Sequence, residues 1–204
     1  VAPVSVSSAG VATYSMPASG SCTVNYQVCA PAPNATVCDT ATLTVTARAA
    51  DMSAALGATT PAVVSPGQVI TGLTATCTNI GANAAINASC APSVSAGSIS
   101  ALSCVPTTPQ ASLAAGSAIV CTYTYTAPGT AGGANEPTTS VTFTATTGAT
   151  NDSVPANNTA SVSTTVIDAV NDTAGQPGGT VGATTNLATN DQFPVGSVFT
   201  IQPG

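Results

Sequence analysis

Ile119-Val-Cys-Thr-Tyr-Thr-Tyr-Thr126 decides the fold of this chain. In an extended backbone successive side chains point to opposite faces, so Ile119, Cys121, Tyr123 and Tyr125 share one face and the threonines take the other. The same alternation recurs in Ala41-Thr-Leu-Thr-Val-Thr-Ala47 and in Val141-Thr-Phe-Thr-Ala-Thr146. Between such runs lie turn signals: Ser65-Pro-Gly67, Ala127-Pro-Gly129, Asn171-Asp172 and Pro177-Gly-Gly179. Their spacing is that of a sandwich, not of strands alternating with helices. The charged residues that decorate the outside of α-helices are almost missing, at 4% of 204 residues, while Val, Thr and Ile recur. An all-β fold of antiparallel sandwiches with little or no helix is therefore predicted.

Composition also limits function. Seven acids against one base give a net charge of -6; the base is Arg48, and neither Lys nor His occurs. A groove that tracks phosphates needs several cations, so no nucleic acid is expected as a partner. No stretch approaches the apolar length of a spanning helix, and no polybasic patch exists to hold a membrane surface, so no direct membrane insertion is expected. Hydrolytic triads lean on His and Schiff bases need Lys. The acids Asp39, Asp51, Glu136, Asp152, Asp168, Asp172 and Asp191 fall mainly in turns and at strand ends, with no aromatic platform for a sugar. The chain reads as non-enzymatic, with no catalytic residue. Its hydrophobic residues are mostly Ala and Val, which make thin cores, so covalent reinforcement is expected; seven Cys are present and point to an oxidising compartment. Val1 has no charged or apolar leader before it, which fits a removed signal peptide or an excerpt of a longer exported chain.

A complete module reads from residue 48 to 166. It passes Ala50-Asp-Met52, Ser65-Pro-Gly-Gln68, Thr76-Cys-Thr-Asn-Ile-Gly81 and Ser112-Leu-Ala-Ala-Gly116, and closes on Pro155-Ala-Asn-Asn-Thr-Ala160 before a last strand. This series resembles the Ig-like conserved-repeat domain, related to the CARDB-type adhesion module, found in tandem in large bacterial cell-surface proteins. Residues 1–47 and 167–204 carry strand patterns, and neither is long enough to bury a core alone. Asp168-Ala-Val-Asn-Asp-Thr173 with Asn186-Leu-Ala-Thr-Asn-Asp191 resembles the start of a cadherin-like module; Gly10-Val-Ala-Thr-Tyr14 with Cys38-Asp-Thr-Ala-Thr-Leu-Thr-Val-Thr46 resembles its end. The two halves stand in inverted order. An odd number of antiparallel strands sends the chain in at one pole of the central module and out at the other, so the halves are expected to meet between copies. That makes copies of the chain its own partners, in a tandem repeat or a head-to-tail homopolymer. A discontinuous domain closed within one chain is the alternative.

Cys29 and Cys38 flank a turn-rich loop and read as a hairpin disulfide. Cys77, Cys90, Cys104 and Cys121 allow three pairings. The nested one is preferred, with Cys90 and Cys104 facing across a hairpin about Gly97 and Cys77 bonded to Cys121. Cys22 is left over, as a free buried thiol or a bond to another chain. With no CxxC spacing and no His, the cysteines do not read as a metal site. Asp168, Asn171, Asp172, Asn190 and Asp191 are candidate calcium ligands, as the cadherin-like resemblance implies; the rival reading is that Asn-Asp pairs simply favour turns. Sequons at Asn34, Asn87, Asn151, Asn157 and Asn171 are glycosylation candidates. Without Lys, Lys-Asn isopeptide crosslinks cannot form. The expected function is that of a secreted, disulfide-bearing repeat unit of an extracellular bacterial surface stalk or filament. The alternative is an adhesin recognising a glycan or host protein through its polar loops.

Overall fold

The computed structural model describes residues 5–7, 9–15, 20–130, 136, 138–179, 182 and 185–201. In chain order its strands are β1 (Ser5–Val6), β2 (Ala12–Thr13), β3 (Ser21–Cys29), β4 (Cys38–Thr46), β5 (Met52–Leu56), β6 (Val63–Val64) and β7 (Val69–Asn79). There follow β8 (Ala85–Val94), β9 (Ser98–Val105), β10 (Gln110–Leu113), β11 (Ala118–Thr126), β12 (Ser140–Gly148) and β13 (Thr159–Val166). A single 3-10 turn, Pro155–Asn157, is the only helical element among the described residues.

Two sheets, both drawn from β5–β13, pack face to face as an antiparallel sandwich. One has the order β10-β8-β12-β13-β6 and the other β5-β7-β11-β9. The strand pairings are antiparallel except the short parallel contact of β13 with β6, and an isolated parallel bridge joins Ala50 to Asp152. Alternation dictates which side chains meet between the sheets. Ile119, Cys121, Tyr123 and Tyr125 of β11, with Leu73, Ala75 and Cys77 of β7, face Ala85, Ala88 and Cys90 of β8 and Val141, Phe143 and Ala145 of β12, and all are buried. The Tyr125 and Phe143 rings meet edge-on with centroids 4.7 Å apart, filling space that the many alanines leave. Across from Tyr123 and Tyr125 the partner strand β7 carries an extra residue, and Gly72 supplies the positive φ of 73° there.

The central disulfides are not nested. Cys77 is bonded to Cys90 and Cys104 to Cys121, which corrects the pairing expected above. The reason lies in the connection at Gly97: β8 and β9 are not a hairpin but belong to different sheets, so Cys90 and Cys104 never face each other. Cys77 and Cys121 do sit on neighbouring strands, yet their direct partners are Ile119 and Ala75, one diagonal step apart. Cys77–Cys90 instead staples β7 to β8 across the core, and Cys104–Cys121 joins residues directly opposite on β9 and β11, with Cα atoms 4.0 Å apart. Loops with sequence separations of 13 and 17 are closed in this way. By chain entropy each bond contributes about 3 kcal/mol through the unfolded state.

The direction of the chain through the sandwich follows from register. At one end Ala50 N donates to Asn151 O at 2.9 Å, and Thr146 faces Thr159. From there β5 runs inward, Met52 facing Asn79 and Leu56 facing Ala75. At the other end Ser140 faces Thr165, and Ile167 N donates to Val64 O at 2.8 Å as the chain leaves. Residues 48–50 thus join the sandwich at its near end and Ile167 departs from its far end. Before the near end lies the hairpin β3–β4, paired without a slip from Ser21/Thr46 to Cys29/Cys38, where a disulfide closes it. Beyond the far end no strand forms among the described residues, although the pattern of residues 167–204 predicts some; a single bridge joins Asp168 to Gln192.

Candidate functional site

At the near end, asparagine side chains grip the incoming backbone. Asn79 occupies an inward position of β7 and is fully buried, so its amide must be satisfied locally. Its Nδ2 donates to Asn83 O at 2.9 Å and Leu113 O at 3.0 Å, and its Oδ1 accepts from Gly81 N at 3.1 Å. Asn83 Nδ2 passes the grip on to Ala49 O at 3.1 Å. Asn151 Nδ2 donates to Arg48 O and Ala84 O, each at 2.9 Å, and its Oδ1 accepts from Ile86 N. Ser153 Oγ holds Ala50 O, and Asn157 Nδ2 holds the Asp51 carboxylate at 2.8 Å. Every residue from 48 to 51 is tied down, which fixes the direction in which the preceding hairpin leaves the sandwich.

The far end is organised by carboxylates that cap backbone N–H groups. Asp168 is buried and its Oδ2 accepts from Glu136 N at 2.6 Å; Asp191 Oδ1 accepts from Val170 N at 2.7 Å. Gln192 pairs with Asp168 through both backbone groups, and its Nε2 donates to Val166 O at 2.6 Å. Of the candidate calcium ligands, Asp168 and Asp191 therefore face main-chain donors, Asn171 and Asp172 are exposed, and Asn190 has a buried Oδ1. Among the described residues no three Asp, Glu, His or Cys side chains converge. A cavity of about 400 Å³ is lined by Asp168, Asp191, Phe193 and Phe199.

The terminal segments keep apolar side chains that the sandwich does not cover. On β3–β4 the residues Cys22, Val24, Tyr26, Val28, Leu43 and Val45 lie on one face and Thr23, Asn25, Thr42 and Thr44 on the other. Tyr26 and Val28 are exposed, and Cys22, Val24, Leu43 and Val45 are only half-buried. Cys22 is the free thiol among the described cysteines. At the opposite terminus Val195, Val198, Phe199 and Ile201 are exposed.

Among the sequons, Asn34 lies at an exposed turn of the Cys29–Cys38 loop; Asn87 is exposed on β8, where its Nδ2 donates to Thr150 Oγ1 at 3.3 Å, and the amides of Asn151 and Asn157 are committed to the near-end network. Asn171 is exposed. Sequence reasoning missed Asn79, Asn83 and Glu136. Asn79 carried a readable signal, since it falls at the same parity as the inward-facing Cys77; Asn83 and Glu136 sit in loops, where periodicity says nothing. The buried hydroxyls of Tyr123 and Tyr125 find no hydrogen-bond partner, and burial pushes both phenols above their ordinary pKa.

The class defined by this geometry is an all-β, disulfide-stapled sandwich flanked by two incompletely covered terminal segments. No family model matches the sequence, and no curated protein matches it. Among solved structures, a Salmonella α-2-macroglobulin superposes over 80% of this chain at 18% identity and a TM-score of 0.37. A secreted serine protease of Vibrio cholerae, VesC, superposes over 57% of it at 16% identity and a TM-score of 0.34. The chain spans 10% of the first protein and 24% of the second. Superpositions this loose carry no conclusion about function.

Proposed function

We propose that this chain is a structural repeat unit of an extracellular bacterial surface stalk or filament, stacked head to tail and without catalytic activity of its own. The observation that carries the reading is the position of the two uncovered apolar segments, which leave the sandwich from its near and far ends instead of folding back on one another. Exposed apolar patches rimmed by polar residues mark sites of association. An end-to-end contact between such unlike surfaces does not close on itself and so generates a fibre. Three disulfides support an oxidising, exported location. The lack of Lys and His and the thin, fully consumed core support a mechanical role over a chemical one.

Sedimentation and electron microscopy of the purified chain over a concentration series test this. Rods lengthening with concentration, with an axial repeat of roughly 70–80 Å for two stacked sandwiches, are the expected result. A compact monomer at every concentration sinks the stacking reading, and saturable binding to a glycan panel in that state favours the adhesin.

A further inference from the structure

Resting on the stacking reading, we propose that residues 193–201 of one copy pack into the groove on the apolar face of β3–β4 of the next copy, sealing Cys22 inside the joint.

The groove is built by an unfinished second layer. Among the described residues only the ribbon β1–β2, two residues per strand, lies over the apolar face of β3–β4, and between the two layers a cavity of about 250 Å³ remains. Val24, Tyr26 and Leu43 form its floor and Val6 and Ala12 its rim. A two-stranded sheet with one bare apolar face is not stable by itself in water and needs a further layer. The chain carries a matching piece: Val195 is 107% exposed, Val198 82% and Ile201 97%, values that apolar side chains take only when nothing packs on them. Neither surface brings a Lys or Arg, so their contact buries no basic group.

Reach selects a second copy as the occupant. Gln192 is pinned to Asp168 at the far end by two backbone hydrogen bonds of 2.7 and 2.8 Å. The nine residues that follow extend at most about 31 Å. Strand β7 alone, 11 residues long, spans about 37 Å of the sandwich, and the groove lies beyond its near end. The segment cannot reach its own hairpin, while the hairpin of a following copy is presented at the far end where the segment begins.

The test joins two full copies in one polypeptide, which raises the effective concentration of the contact without requiring high protein concentration. Cys22→Ser in either copy leaves a single thiol to follow with iodoacetamide under native conditions. The second copy's Cys22, receiving the segment of the first, should react roughly tenfold or more slowly than the first copy's. Val198→Asp with Ile201→Asp in the first copy should abolish the difference while leaving the melting temperature unchanged, since both side chains are on the surface. Equal rates in the unsubstituted double chain overturn the proposal. Small-angle scattering then separates the two ideas: a rigidly extended pair with equal rates keeps the stacking reading and moves the joint elsewhere, and a freely hinged pair with equal rates removes both.

Discussion

Asn79→Ala is the substitution to make first in the sandwich. The side chain is fully buried and makes three hydrogen bonds of 3.1 Å or less, to Asn83 O, Leu113 O and Gly81 N. Alanine leaves those three backbone groups without their partner, at about 1 kcal/mol or somewhat more for each one kept from water. Water entering between the near-end loops offsets part of the loss, so the net cost should be roughly 2–4 kcal/mol. For a sandwich of this size that lowers the melting temperature by roughly 8–16 °C. Thermal and urea unfolding followed by far-ultraviolet circular dichroism, with the disulfides intact, measure it. The urea m-value should not change, because the surface exposed on unfolding is the same. Asn25→Ala, on the outer face of the β3–β4 hairpin, is the control and should stay within about 0.5 kcal/mol. A loss for Asn79→Ala no larger than for that control would refute the idea that one inward amide holds the near-end loops together.

Four other outcomes follow from the same geometry. Arg48 is the one trypsin site, and its carbonyl is held by Asn151; the folded chain should resist trypsin, and Asn151→Ala should raise the rate of nicking after Arg48 by roughly tenfold through local opening. Tyr125→Phe removes a buried hydroxyl that has no partner and should be neutral or stabilising by up to about 1 kcal/mol, where most core truncations destabilise. Because burial raises the Tyr123 and Tyr125 phenols above 10.0, their contribution is complete below the unfolded-state pKa and is lost as pH rises beyond it. Alkaline unfolding and the late phenolate absorbance should therefore coincide. Glycopeptide mapping of native material, where glycan is attached to the folded protein, should find it at Asn34 and not at Asn151 or Asn157, whose amides are engaged.

Much of the sandwich was legible because alternation is a local property. The run from Ile119 to Thr126 predicts one buried face, and Ile119, Cys121, Tyr123 and Tyr125 are all buried. The run from Ala41 to Ala47 has the same period, yet Leu43 and Val45 are only half-covered, because periodicity reports a strand's two faces and not whether a second layer lies over one of them. Disulfide partners were not legible for a related reason. Symmetry about Gly97 suggested a hairpin, but the chain there steps from one sheet to the other, and nothing local distinguishes a tight turn within a sheet from a crossing between sheets. The near-end network was half legible: Asn79 betrays itself by parity, whereas Asn83, in a loop, depends on long-range contacts. Asn151 shows in the sequence as a sequon, and only its long-range partners Arg48 O and Ala84 O reveal it as a structural tie as well.

The passage of the chain from near end to far end sets how the module would bear tension. A pull on Arg48 and Ile167 acts along β13, whose seven residue pairs with β12 lie side by side, with hydrogen bonds perpendicular to the strands. The load falls on them together as shear instead of opening them one at a time. Once that ladder yields, the segments between Cys77 and Cys90 and between Cys104 and Cys121, with separations of 13 and 17, stay closed by covalent bonds. They withhold roughly 90–100 Å of contour length that only a reductant would release. Under strain such a module would lengthen in limited steps and keep a tethered remnant of its sandwich from which it can refold.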